Sequence, residues 1–214
     1  MKIMKFYKRE IKELLIADIA LSIAFTNLVY GSTGFSNIFY TFFVSFLAVT
    51  LGFALHEIAH KLTAQHFGAI SYFRASMFGL IFSILSSFFG FLIAIPGATV
   101  IASWLNRKEE GIVSIAGPAW NVFIGLVCVL LAIAFPNFET TFSFVGFVNL
   151  WLAFFNMLPI PPLDGSKVLR WNKAVYLSSM AVIIILVLYF GIVDITSLLF
   201  AILFALIFYF FFRL

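Results

Sequence analysis

The stretch FALHEIAHKLTAQHFGA, residues 53–69, closes a long apolar run with the charged pentapeptide HEIAH. The run starts near residue 38, so its length suits a helix that crosses a bilayer. Ionisable side chains are costly at membrane depth, and those that occur there usually carry function. His56, Glu57 and His60 are therefore the first candidates for a functional site.

The composition of the whole chain indicates a polytopic membrane protein. Hydrophobic residues make up 64% of it, charged residues 10%, and the mean hydropathy is +1.13, whereas a soluble domain carries about 25% charged residues. The net charge of +4 comes from short basic clusters beside apolar runs, which orient membrane spans rather than bind nucleic acid. The single Cys128 excludes a disulfide framework within the chain and is expected to pack as a small hydrophobic residue.

Apolar runs of about 20 residues predict an all-α polytopic fold with about six transmembrane helices in a single membrane-embedded domain. That domain covers residues 1–214. Three of the spans carry sequence motifs, and three are peripheral. The motif-bearing spans are residues 38–62, 111–135 and 142–165, and the peripheral spans are residues 14–30, 175–190 and 198–212.

A further apolar segment, residues 77–102, is long enough to be a seventh span, but the loop charges argue against that assignment. With six spans, all 13 basic residues lie on one face, which the positive-inside rule makes cytoplasmic. Both termini and the HEIAH end of its span then lie on the cytoplasmic side, whereas a seventh span would reverse everything after it. We therefore expect residues 77–102 to enter and leave on the same side, as a re-entrant hairpin or an interfacial element. The sequence leaves strand or helix open.

HEIAH matches the H-E-x-x-H pattern of zinc sites. On a helix, residues i and i+4 share a face, so the imidazoles of His56 and His60 can reach one zinc ion. Glu57 can then act as general base on a water at that metal. The alternative is a pair of packed histidines, with Glu57 paired to Lys61 four residues later. Three ionisable groups at the end of an apolar span favour the metal site.

A catalytic zinc site takes three protein ligands, and Asp164 is the best-placed candidate for the third. It follows a span in the stretch NMLPIPPLDGSK, residues 156–167, where prolines can hold an irregular chain near membrane depth. The topology puts it on the same side as His60, whereas His66 lies off the face of the HEIAH histidines on a continuous helix. The alternative for Asp164 is a turn residue of an Asp–Gly loop.

Three motifs together resemble those of the site-2 protease family of intramembrane zinc metalloproteases. They are HEIAH (56–60), AGPAWN (116–121) and NMLPIPPLDG (156–165), and they occur in the order of the family pattern. No PDZ or CBS domain accompanies them, so the chain resembles a minimal form of the family. Residues 77–102 resemble the membrane-entering β-hairpin of some members.

The resemblance implies one zinc ion per chain, with a ligand and base set of His56, His60, Asp164 and Glu57. It also implies that Asn121 and Asn156 lie near the site, where they would bind an unwound substrate or polarise its carbonyl. The alternative for these two asparagines is hydrogen bonding between helices.

The expected function is hydrolysis of peptide bonds within or near the transmembrane segment of a membrane-protein substrate, in the lipid bilayer. A transmembrane helix hides its carbonyls in its own hydrogen bonds, so a substrate must unwind locally before cleavage. Two alternatives remain, a membrane zinc transporter and a non-catalytic membrane scaffold that use the same His/Asp site. The few ionisable residues elsewhere in the spans argue against the transporter, and the intact HEIAH and LDG motifs argue against the scaffold. The sequence indicates neither the substrate nor an oligomeric state.

Overall fold

Helices dominate the part of the chain that this computed structural model describes, which is residues 5–32 and 34–191. The helices are α1 (Lys8–Val29), α2 (Ile38–Val49), α3 (Leu55–His66), α4 (Met77–Ser87), α5 (Arg107–Ala134), α6 (Glu139–Asn156), α7 (Asp164–Trp171) and α8 (Lys173–Tyr189). A π-helical segment, Thr50–Ala54, joins α2 to α3, and a short 3-10 helix, Pro136–Phe138, precedes α6. Two strands, β1 (Ser71–Ala75) and β2 (Gly97–Ile101), pair antiparallel.

Three helices among the described residues are long and apolar enough to cross a membrane. They are the continuous helix Ile38–His66, the helix Arg107–Ala134 and the helix Pro136–Asn156. These correspond to the three motif-bearing spans of the sequence analysis, so a mostly helical membrane protein is confirmed. The prediction of six spans is not confirmed: α8 is shorter, α1 does not meet the same criteria, and the span at 198–212 lies outside the described residues. The cytoplasmic orientation also stays a prediction.

Residues 77–102 contain both a helix and a strand. The helix α4 has 11 residues and is therefore about 16 Å long, which is too short for a hydrocarbon core of about 30 Å. The strand β2 returns the chain to β1, so that Ala75 pairs with Gly97 and Ser71 with Ile101. The stretch between the two strands therefore begins and ends at neighbouring points, where the Ser76 amide donates to the Pro96 oxygen at 3.0 Å. Because of these strands, the all-α description is incomplete.

Local sequence signals fix the start of α5, the helix that forms one wall of the candidate site. The Asn106 side chain accepts hydrogen bonds from the backbone amides of Lys108 and Glu109. Glu109 Oε2 in turn accepts a hydrogen bond from the backbone amide of Asn106 at 3.0 Å. This capping box satisfies amides that have no partner within the helix. Pro118 lies inside the same helix, where it removes one backbone donor.

Two of the apolar clusters include residues near the candidate site. One cluster joins α6, α7 and α8 and includes Leu150, Phe154 and Val168. Another joins α1, the π-helical segment and the hairpin, and it includes Phe53 and Phe73, whose rings meet edge to face at 5.7 Å. The helix α3 contacts α5 and both strands of the β1–β2 pair.

Candidate metal centre

The fold brings His56 and His60 of α3 together with Asp164, the first residue of α7. One ligand atom from each side chain lies within 4.8 Å of the other two, and all three residues are buried. The two imidazole Nε2 atoms are 2.9 Å apart, and Asp164 Oδ2 lies 3.4 Å from His56 Nε2 and 3.1 Å from His60 Nε2. Only this group has the composition of a metal site among the residues that the structure describes.

The other nitrogen of each ring has a partner on α5. His60 Nδ1 donates to the backbone oxygen of Val113 at 2.7 Å, and His56 Nδ1 donates to Asn121 Oδ1 at 2.5 Å. With its proton on Nδ1, each neutral imidazole presents the lone pair of Nε2 to the centre. Hydrogen bonds of this kind fix the tautomer and the orientation of metal-binding histidines.

Gly117, the glycine of AGPAWN, makes room for the two imidazoles. A Cβ atom at this position would lie 2.5 Å from His60 Nε2 and 2.6 Å from His56 Nε2. Real Cβ contacts essentially never occur at such distances, so any larger residue would push the histidines away. The sequence analysis quoted this glycine within a motif but gave it no role.

Asp164 reaches the centre through an irregular stretch between α6 and α7. A Cβ atom at Gly165 would collide with the backbone carbonyl of Met157, so this glycine allows the first turn of α7 to pack against the end of the preceding segment. A carboxylate is the form of Asp164 that binds metals.

This donor set fits zinc. Two imidazole nitrogens and one carboxylate oxygen converge, and three protein ligands are the usual number in catalytic zinc sites. Bonds of about 2.0–2.2 Å in a tetrahedral site separate neighbouring ligands by roughly 3.3–3.5 Å, close to the spacing of the three atoms here. The two lone pairs and the carboxylate repel one another unless a cation lies between them.

Glu57 lies beside the centre and faces the hairpin. Its Oε2 accepts a hydrogen bond from the backbone amide of Thr99 on β2 at 2.7 Å, and the Thr99 hydroxyl donates to the Glu57 backbone oxygen at 3.0 Å. The alternative pairing of Glu57 with Lys61 is wrong. Lys61 Nζ instead lies 2.8 Å from Glu10 Oε1 and donates to the Ser71 backbone oxygen at 2.8 Å.

The two predicted asparagines differ in their surroundings. Asn121 is fully buried, and besides its bond to His56 it donates to the Gly52 backbone oxygen at 2.8 Å and to Asn149 Oδ1 at 3.1 Å. Asn156 is half-buried and donates to the Leu152 oxygen of its own helix at 2.9 Å. The bonds of Asn121 are hydrogen bonds between helices, which was the alternative role for the two asparagines. Contact with a substrate stays a prediction for both residues.

Asn149 takes part in this network and was missed in the sequence. It is fully buried on α6, and its Nδ2 donates to the Val145 oxygen at 2.9 Å. The signal available was an amide side chain within an apolar span, where polar groups usually bond to neighbouring helices.

Comparison with known proteins identifies the family of the chain. A family model described as Peptidase family M50 matches residues 132–188, which include Asn156 and Asp164. A protein of Methanocaldococcus jannaschii, whose name describes it as a candidate zinc metalloprotease, is 40% identical over 181 residues, covering 82% of this chain and 91% of that protein. The chain belongs to peptidase family M50. The resemblance to the site-2 proteases is thereby confirmed.

Two further relatives match shorter stretches. Stage IV sporulation protein FB of Bacillus subtilis is 38% identical over 81 residues, which are 37% of this chain and 28% of that protein. A second M. jannaschii protein, named a zinc metalloprotease, is 27% identical over 130 residues, which are 59% of this chain and 33% of that protein. No solved structure matches the chain significantly.

Proposed function

We propose that this M50 peptidase is an intramembrane zinc metalloprotease, with His56, His60 and Asp164 as the zinc ligands and Glu57 as the catalytic base. The observation that carries the proposal is the convergence of three buried ligand atoms with Glu57 alongside. The names of the relatives support zinc as the metal. The cleaved substrate is a membrane protein, because the ligand helix Ile38–His66 is itself long and apolar enough to span a bilayer.

Each residue of the proposed site has a separate role in peptide hydrolysis. When bound, zinc polarises the scissile carbonyl and makes a water molecule acidic enough to lose a proton near neutral pH. Glu57 takes that proton and delivers it to the leaving amine, as a general acid–base residue does. The Thr99 amide holds Glu57 Oε2 in place at 2.7 Å, while Val113 and Asn121 hold the ligand rings.

The strand β2 supports an unwound, extended substrate. One edge of β2 pairs with β1, and the Thr99 amide, which points away from β1, bonds Glu57 instead. The outer edge of the strand therefore runs past the catalytic base. An extended peptide can pair with such an edge through its own backbone groups, which a helical substrate cannot do until it unwinds.

The decisive experiment replaces the base alone. Glu57→Gln keeps the shape of the side chain but cannot take a proton, so we expect the purified protein to retain about one zinc per chain while hydrolysis falls by about 10²–10⁴-fold. The substrate is a membrane-protein reporter in proteoliposomes, with and without a chelator. Glu139→Gln, at an exposed position at the start of α6, is the matched control and should cleave normally.

Full activity in Glu57→Gln would contradict the mechanism. Absence of metal from the wild-type protein, or zinc retained in Asp164→Asn at wild-type affinity, would contradict the ligand set. Zinc flux across the vesicle membrane that survives Glu57→Gln would support the transporter alternative, and a zinc-loaded protein that cleaves no reporter would support the scaffold.

A further inference from the structure

The helix that carries HEIAH changes its winding immediately before the metal ligands. Residues Thr50–Ala54 are π-helical, and the Leu55 amide bonds the Thr50 oxygen five residues earlier. Such a segment accommodates one extra residue, and π-helical insertions are frequent at functional sites. One residue corresponds to about 100° of rotation on an α-helix. The insertion therefore decides which side of α3 faces the metal centre.

Two adjacent side chains of α5 bond the carbonyl groups of this segment. Trp120 Nε1 donates to the Leu51 oxygen at 2.9 Å, and Asn121 Nδ2 donates to the Gly52 oxygen at 2.8 Å. A buried polar group without a hydrogen-bond partner is costly in an apolar interior. Because the π-helical winding pairs these two carbonyl groups with the two side-chain donors, the bonds favour it over windings in which carbonyls and donors would be unpaired. Asn121 also bonds His56, which joins the winding directly to a ligand.

A third bond holds the segment from the opposite side. The Thr50 hydroxyl donates to Asp18 Oδ2 of α1 at 2.7 Å. Asp18 is 3% exposed and lies next to the apolar cluster around Ala17 and Phe53, and the proposed hydrolysis makes no use of it. A carboxyl group buried among apolar helices is usually functional, and here its observed partner is the first residue of the π-helical segment.

We propose that Asp18, Thr50 and Trp120 are positioning residues that hold the π-helical segment and thereby set the rotation of His56 and His60 toward Asp164. This inference rests on the proposed zinc site. The three residues touch neither substrate nor metal. They act through the winding of the helix on which the two histidines lie.

The test measures metal binding rather than cleavage, on the full chain in detergent micelles. Thr50→Val removes the hydroxyl that bonds Asp18, and Trp120→Phe removes the donor to Leu51. We expect each variant to bind zinc and cobalt(II) about 10–100-fold more weakly, the range typical of residues that orient metal ligands. The visible absorption spectrum of the cobalt(II) protein should also shift, because the ligand geometry changes. Thr50→Ser keeps the hydroxyl and should restore both affinity and spectrum.

Thr41→Val is the matched control on the same helix. Thr41 is fully buried and its hydroxyl donates to the Asn37 backbone oxygen four residues earlier at 2.8 Å, so its replacement removes a buried hydroxyl nine residues before the π-helical segment. We expect wild-type metal affinity and a wild-type cobalt(II) spectrum in this variant. If Thr50→Val does not fold, Trp120→Phe decides the question, because phenylalanine retains an aromatic ring.

Wild-type affinity and spectrum in Trp120→Phe and in any folded Thr50→Val would overturn the inference, and so would equal losses in Thr41→Val. Those results would leave the proposed function intact. A wild-type protein that binds neither zinc nor cobalt(II) would instead overturn the zinc site itself, and the inference with it.

Discussion

The two faces of HEIAH are held in different ways. On one face, His56 and His60 are buried and bond α5 through Asn121 and the Val113 carbonyl. On the other face, Glu57 is half-buried and bonds a strand of a two-stranded hairpin. The two proposed histidine ligands thus depend on a helix of 28 residues, whereas the proposed base depends on a strand of five.

This difference separates metal binding from proton transfer. Long helices packed on both sides open rarely, whereas small elements with few buried contacts open at low free-energy cost. The segment that connects β1 to β2 is also exposed, with Phe88 and Phe89 at 69% and 78%. We therefore expect substitutions in α5 that displace the histidines to abolish metal binding. Substitutions in β2 should lower the rate of hydrolysis while the metal stays bound.

The largest expected effect comes from Gly117→Ala on the ligand face. The added Cβ would lie about 2.5 Å from His60 Nε2, so both imidazoles must leave their present positions. Alanine favours a helix over glycine by about 1 kcal/mol, so the helix itself gains stability. We expect zinc to be lost from the purified protein, as measured by metal analysis, and hydrolysis to become undetectable.

Gly125→Ala is the control for Gly117→Ala. It lies on the same helix, and its Cβ would come 2.6 Å from Leu150 Cγ, so it causes a similar overlap away from the metal centre. We expect this variant to lose thermal stability and to retain about one zinc per chain. Zinc retained in Gly117→Ala would show that the proposed ligand face tolerates displacement of the imidazoles. Zinc lost equally in both variants would show that any disturbance of α5 removes the metal.

Much of the ligand face could be predicted from the sequence. The spacing of HEIAH defines two ligands on one helical face, and the topology left Asp164 as a partner. Both expectations agree with the group that the structure brings together. The role of Gly117 could not be predicted, because a glycine in a helix acquires meaning only when the neighbouring imidazoles are known. The same holds for the π-helical winding, which depends on donors far along the chain at Trp120 and Asn121.

The base face was harder to predict. Residues 77–102 are uncharged and mostly apolar, and such runs do not distinguish strand from helix by periodicity. The partner strand β1 was not anticipated, since Ser71–Ala75 is short and contains an arginine. Lys61, offered as an alternative partner of Glu57, is 2% exposed and joins Glu10 of α1 to the Ser71 oxygen of β1. A buried ion pair between distant segments leaves no local pattern.

A smaller effect is expected from Thr99→Pro on the base face. Proline has no amide hydrogen, so Glu57 Oε2 loses the donor at 2.7 Å. A hydrogen bond to a charged group contributes about 1.5–3 kcal/mol, which corresponds to roughly 10–100-fold in kcat. The metal content should not change. Thr99→Val keeps the amide and should lose less activity. A variant that loses zinc, or in which KM alone rises, would contradict a role in holding the base.

The smallest expected effect is on the stability of the contact between Glu13 of α1 and Ala75 of β1, which we call the hairpin anchor. Glu13 lies just before the predicted span at 14–30, and its Oε2 accepts a hydrogen bond from the Ala75 amide at 3.1 Å. The Arg9 guanidinium, 2.7 Å from Oε1, is the main cause that lowers the pKa of Glu13 below 4.5, and the Ala75 amide and Arg74 lower it further against the opposing effect of burial.

A lowered pKa in the folded state means that the ionised Glu13 stabilises the anchor above pH 4.5, its ordinary pKa, and that this contribution is lost as the pH falls through the folded value. Because the pair is near the surface, we expect less than about 1 kcal/mol. Hydrogen exchange of the Ala75 amide, corrected for its intrinsic pH dependence, should quicken at acidic pH in the wild type. In Glu13→Gln it should be pH-independent, and metal content should be the same in both proteins above pH 6. Equal pH dependence in the two proteins would assign the effect to another group and remove Glu13 from the hairpin anchor.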